Sequence, residues 1–283
     1  MAKTKKEVEP QYYVSKTGLQ TYNYNVYNMG FIEKVLYFII AFAVGAAVGY
    51  LFFGGIGKDE FGRDTTLTYI INFSVCISVG LGAGILFIPI RRQQIINKNR
   101  NELRLQFREL LEAVSTSIGS GNNVMNSFSA AYKDLAVIYD EDAFIIQELK
   151  VIIDGFANNV PIEATLKDFA VRSGIVDIQN FADVFETCYG AGGDIKDVIK
   201  STYDIISEKM EIEMDIATTI TSSKTELTTM TFMQIVLIGL IKMSNPESAS
   251  NYTTGAGIIA TMVASVMFVA AYFVGRRVMD IKV

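Results

Sequence analysis

The chain has 283 residues, half of them hydrophobic, a mean hydropathy of +0.29 and a formal charge of −5. It contains no histidine, which removes the commonest general base and metal ligand. Its two cysteines, Cys76 and Cys188, are too far apart for a CxxC pair or a thiolate metal cluster, and are expected as small buried hydrophobes. No metal or cofactor is expected.

The chain opens with a polar, tyrosine-rich segment, residues 1–30, and then turns apolar. Val35 to Ile56 carries no charge and is long enough to cross a hydrocarbon core about 30 Å thick. It lacks a small-residue cleavage site, so it is expected to be an uncleaved anchor. A second uncharged run, Leu67 to Ile90, contains Pro89 and ends at Arg91-Arg92. Residues 31–90 are therefore expected to form a transmembrane helical pair. Gly45 and Gly49 lie four apart, as do Gly80 and Gly84, a spacing that lets helix backbones approach closely in a membrane.

Residues 91–228 read as an all-α domain of about six helices, with no alternating strand pattern. Arg91 to Arg108 holds six bases against Glu102 alone, whereas residues 109–228 hold 21 acids and 8 bases, a net −13. Nucleic acid is not an expected partner of so acidic a domain, because phosphate neutralisation needs a basic face. Leu103, Phe107, Leu110, Leu111, Val114 and Ile118 form one apolar helical face that "GSGNN" stops at 119–123. A helix over about 124–138 follows, capped by Asn122 or Asn123, then one that starts near Asp140 as its N-cap. Pro161 suits the first turn of a helix over 161–172, and Gly174 suits its end. The next helix places Ile178, Phe181, Ala182 and Phe185 on one side.

"ETCYGAGGDIKDVIK", residues 186–200, puts three glycines in four positions before a helix. A phosphate-binding GxxxxGK[ST] loop needs a lysine where Asp194 follows Gly193, and no strand precedes the run. A helix-to-helix turn fits instead, with Gly190 left-handed, Gly192 and Gly193 allowing the reversal, and Asp194 capping the next helix. That helix meets no glycine or proline from Asp194 to Gly239 and is expected to feed a third span, with a kink at "TTITSSKTELTTMT". The apolar core of that span, Met230 to Ile241, is short. The fourth, Thr254 to Gly275, is full-length, contains Ala256, Ala260 and Ala264 at helical steps, and stops at Arg276-Arg277. Residues 229–275 thus form a second membrane pair, and 276–283 a tail. Basic residues collect before span one (Lys3, Lys5, Lys6, Lys16, Lys34), after span two and after span four, while the loops at 56–66 and 243–253 carry only Lys58 and Arg63. The positive-inside rule puts both termini and the central domain in the cytoplasm.

Two spans, "RR", "QFRELLEAVSTSIGSGNNVMNSFSAA", "ANNVPIEATLKDFAVRSG", "FETCYGAGGDIKDVI" and two more spans ending "GRRVMDIKV" resemble, in that order, the type II secretion system protein F family. Within it, the tight adherence (Tad) pilus platforms are the most similar. The resemblance covers about residues 68–283, and "ISEKMEIE" stands where the family carries arginines. It implies a non-enzymatic inner-membrane platform whose cytoplasmic domain meets a hexameric ATPase and which moves pilin subunits into a fibre. It further implies Glu148, Arg172, Asp177, Glu186 and Asp194 as partner-binding candidates, with Gly192 and Gly193 as the family's glycine pair. Only one copy of the helical domain is present, where the resemblance implies two in the secretion and type IV pilus members, so a homodimer or a heteromer with a sibling platform protein is expected, close-packed through Gly45, Gly49, Gly80 and Gly84. The competing reading is a membrane-anchored helical adaptor or signalling scaffold. A transporter is disfavoured, because spans one, two and four contain no ionisable residue.

Overall fold

The computed structural model describes residues 10–15, 18, 20–54, 56, 65–244 and 254–279. Among them are one short hairpin, β1 (Tyr12–Val14) and β2 (Gln20–Tyr22), and eight helices. These are α1 (Phe31–Phe53), α2 (Thr66–Gly119), α3 (Val124–Ile138), α4 (Phe144–Ala157), α5 (Ile162–Ser173), α6 (Val176–Gly190), α7 (Ile195–Ser244) and α8 (Gly255–Met279). The all-α expectation holds, with one correction: the tyrosine-rich segment folds into an antiparallel ribbon, Tyr12 opposite Tyr22 and Val14 opposite Gln20. Lys3, Lys5, Lys6, Lys16, Lys58, Arg63 and residues 280–283, on which the sidedness expectation partly rests, lie outside the described residues.

The residues separate into two units. A core unit joins the described residues up to Met29 to Arg92–Glu211, and a span unit joins Gly30–Arg91 to the residues from Ile212 onward. The described part of the N-terminal segment therefore packs with the helical domain. Tyr22, Tyr24, Val26 and Met29 are all buried.

In the core unit the apolar face of α2 lies at the centre, with Leu103, Phe107, Leu110, Leu111 and Val114 buried. Phe107 meets Phe181 of α6 and Phe169 of α5, ring centroids 5.5 and 6.1 Å apart. Ile199 and Ile206 of α7 complete this core. α2 is a single helix where a span and a separate helix were expected, since nothing between Pro89 and Gly119 breaks it. α7 is likewise unbroken. Through the stretch where a kink was expected the helix is continuous, and Thr218, Thr219, Thr221 and Thr231 donate their hydroxyls to carbonyls of the preceding turn.

The helix ends follow local chemistry. The Asn123 side chain accepts from Asn126 N–H and caps α3. Asp140 does not cap α4; that helix begins at Phe144, and the Gln106 side chain of α2 accepts the Ile145 N–H at 3.1 Å. Pro161 sits just outside α5 rather than in its first turn. Gly190 is the last residue of α6, not a left-handed one; the positive φ, +69°, belongs to Gly192. Gly192 N–H donates to Tyr189 O and Gly193 N–H to Cys188 O, closing the helix end around the left-handed residue. Asp194 then accepts from the N–H groups of Lys196 and Asp197 at the start of α7.

Among the described residues four helices, α1, α2, α7 and α8, are long and apolar enough to cross a membrane, compatible with a multi-pass membrane protein. The third is the least apolar. In the span unit, α1 and α2 pack through their glycines. A Cβ on Gly45 would stand 2.7 Å from the Ala83 Cβ, one on Gly80 2.8 Å from the Phe42 ring, and one on Gly84 2.5 Å from the Phe38 ring. Gly49 faces Val79. These rows are therefore occupied within one chain, not by the second copy that was expected there. Ala256, Ala260 and Ala264 are exposed.

A tyrosine-covered ion-pair network as the candidate functional site

Arg172 lies in the last turn of α5, where its charge complements the helix dipole. One turn earlier, Asp168 accepts its Nε at 2.8 Å. Glu148 of α4 faces both outer guanidinium nitrogens, Nη1 to Oε1 at 2.5 Å and Nη2 to Oε2 at 2.6 Å, a bidentate fork. Arg172 and Glu148 are each 2% exposed. Two carboxylates thus share one guanidinium, the Glu148 side of it buried and the Asp168 side partly open to solvent.

The N-terminal segment completes this network. Tyr24 donates its hydroxyl to Glu148 Oε1 at 2.9 Å, Tyr13 donates to Asp168 Oδ1 at 3.4 Å, and the Tyr22 carbonyl accepts from Arg172 Nη1 at 3.2 Å. The same segment satisfies the carbonyls that α5 leaves open at its end. Tyr24 N–H donates to Arg172 O, and the Asn25 amide donates to Val171 O and Arg172 O. The left-handed Gly174 leaves room there for Asn25 and Arg100, which hydrogen-bond each other; a Cβ would strike both. On the other side, Arg92 donates to Tyr27 O and Asn99 to the Tyr22 hydroxyl.

Burial pushes the Tyr24 hydroxyl well above its ordinary pKa, and the Glu148 charge adds to the shift. Burial, then the Asp168 charge, raises Tyr13 to about 12. Burial opposes the charge of Arg172, but its hydrogen bonds and ion pairs to Glu148 and Asp168 outweigh that and hold its pKa above the usual value. At neutral pH the tyrosines are fixed donors and the arginine a fixed cation. The arrangement orders the end of α5 against the N-terminal segment.

The five partner-binding candidates do not come together. Glu148 and Arg172 are committed to each other inside the core, which corrects the expectation that either meets a partner. Asp177, at the start of α6, bridges Arg104 of α2 at 2.8 Å and Lys209 of α7 at 3.1 Å and is largely enclosed. Glu186 is exposed and pairs with Lys167 across α5 and α6 at 2.5 Å. Asp194 is exposed as the cap of α7. Cys76 and Cys188 are free and partly exposed rather than buried.

Sequence reasoning did not assign Tyr13, Tyr22, Tyr24, Asn25 or Asp168. Their one signal was the tyrosine density of "QYYV" and "TYNYN" in an otherwise polar segment. No protein-family model matches the chain, and no curated protein or solved structure is significantly similar to it.

Proposed function

We propose that the chain is an inner-membrane platform of the type II secretion system protein F kind. In this reading it serves a Tad or type IV-like pilus, or a type II secretion machine. It has no catalytic role of its own; it couples a cytoplasmic ATPase to the extraction of pilin subunits and their assembly into a fibre. The observation that carries the reading is one helical core unit interrupting four helices fit to cross a membrane, two before it and two after.

The N-terminal segment supports the sidedness this requires. Tyr24 lies before α1, yet it is hydrogen-bonded to Glu148 beyond the first two spans. Both ends of that stretch then share one compartment, so it crosses the membrane an even number of times. The basic residues that precede the apolar run of α1 and those that follow Pro89 favour the cytoplasm for that compartment. With Glu148, Arg172 and Asp177 engaged internally, Glu186 and Asp194 remain as the surface charges through which an ATPase would be steered. A homodimer, or a heteromer with a sibling platform protein, stays part of the proposal through faces other than the α1–α2 glycines.

Affinity purification of the full chain from detergent-solubilised membranes tests the reading. An ATPase and pilins should enrich with it, and Glu186→Lys should weaken ATPase recovery. Recovery of a kinase or receptor in their place would make the chain an adaptor and sink the platform reading.

A further inference from the structure

The ribbon has two edges, and they are treated differently. Asn23 N–H donates to Gln11 O, which fixes the alternation: Gln11 and Tyr13 bond inward to β2, while the N–H and C=O of Tyr12 and Val14 point outward from β1. The outer edge of β2 is occupied, with Tyr22 O accepting from Arg172 and Tyr24 N–H donating to it just beyond the strand. The outer edge of β1 has no hydrogen-bond partner among the described residues, and the side chains of Tyr12 and Val14 are 57% and 64% exposed. An open strand edge pinned to a packed core is a template for another strand.

Chemistry on either side of that edge is uneven. Tyr13 points the opposite way from Tyr12 and Val14, toward Asp168. Asp168 also lines a groove between α5 and α6 that includes Glu163, Lys167, Val171 and Glu186. Its lining holds three carboxylates, Glu163, Asp168 and Glu186, against one cation, Lys167. Glu163 has no cationic partner among the described residues.

We infer that the outer edge of β1 docks an extended segment of a partner protein whose residues alternate between basic and apolar. The main chain of that segment would bond to Tyr12 and Val14. Its basic side chains would lie on the Tyr13 face, toward Asp168 and Glu163, and its apolar ones beside Tyr12 and Val14. The strand period of two matches this division of faces.

The test uses the full chain in lipid nanodiscs and a labelled, end-blocked Lys-Val-Lys-Val-Lys-Val peptide followed by fluorescence anisotropy. Saturable binding is expected. It should fall at least tenfold with a Glu-for-Lys peptide, with a peptide N-methylated on alternate amides, and with Val14→Pro, which removes one outward N–H and is tolerated on an edge strand. Glu163→Lys should weaken it as well. Equal binding of the acidic or the N-methylated peptide overturns the inference, as does absence of saturation up to about 1 mM. The two peptide controls need no variant, so the outcome stands even if Val14→Pro perturbs the ribbon.

Discussion

Arg172 makes its bonds to Glu148, Asp168 and the Tyr22 carbonyl with almost no access to water. Removing one side of a buried, hydrogen-bonded pair leaves the other charge uncompensated, at a cost of about 3–5 kcal/mol. Arg172→Met is therefore expected to destabilise the full chain by that amount in denaturant unfolding followed by circular dichroism. Tyr24→Phe, which strands only one lone pair of Glu148, should cost about 1–3 kcal/mol. A smaller effect for Arg172→Met than for Tyr24→Phe would contradict the network. A pH dependence follows from Tyr13. Its folded-state pKa is raised to about 12 from 10, so the folded state holds a proton that the unfolded state releases. The stability this provides is complete below pH 10 and is lost as pH rises toward 12. Melting temperature should fall more steeply over that window in the parent chain than in Tyr13→Phe; parallel curves would show that Tyr13 does not couple to folding.

Among the elements, the end of α6 yields the sharpest contrast. Gly190 is helical, so Gly190→Ala should be neutral or stabilise by about 0.5–1 kcal/mol. Gly192 holds a φ of +69°, and Gly192→Val should cost about 1–3 kcal/mol. Thermal unfolding of the two variants checks the assignment, and equal effects would refute it. The composition of the turn was legible in "GAGGD", but which glycine turns left-handed was not. That depends on where α6 stops, and its last turn continues through Gly190 because nothing at that position forbids a helix. The same limit appears at α4, whose start is set by Gln106, 39 residues away in sequence, and not by the nearby Asp140. Helices, their apolar faces and the four long apolar runs were legible because periodicity and length are local signals. The ion-pair network was not. Glu148, Arg172 and Tyr24 become partners only when distant stretches pack, and a charged residue in sequence reads first as a surface one.

For the whole molecule, the core unit is built from two stretches of chain with a pair of apolar segments between them. Cysteines at Tyr12 and Ser120 should therefore respond alike to a membrane-impermeant maleimide in intact cells, both being shielded under the proposed orientation. Labelling of both would place the core unit outside the cytoplasm, and labelling of only one would break the core unit as described. The corrected role of the glycine rows belongs to this scale too. They were legible as close-packing surfaces, but whether one chain or two would use them depends on which helices lie next to each other in the fold.

The distance along the chain between Tyr24 and Glu148 is 124 residues, and between Tyr22 and Arg172 it is 150. Synthesis runs in one direction, so the tyrosines leave the ribosome long before the charges they cover. Contacts this remote form late, because loop closure precedes their reward. Under the proposed topology both α1 and the first part of α2 enter the bilayer during that interval, and only a chain that has returned to its starting side can place Tyr24 on Glu148. In that topology, a nascent chain that inserts one segment and stalls leaves the tyrosines and the charges they cover on opposite sides of the membrane. On the proposed topology the tyrosine contacts can close only over a chain whose first two apolar segments have both been threaded.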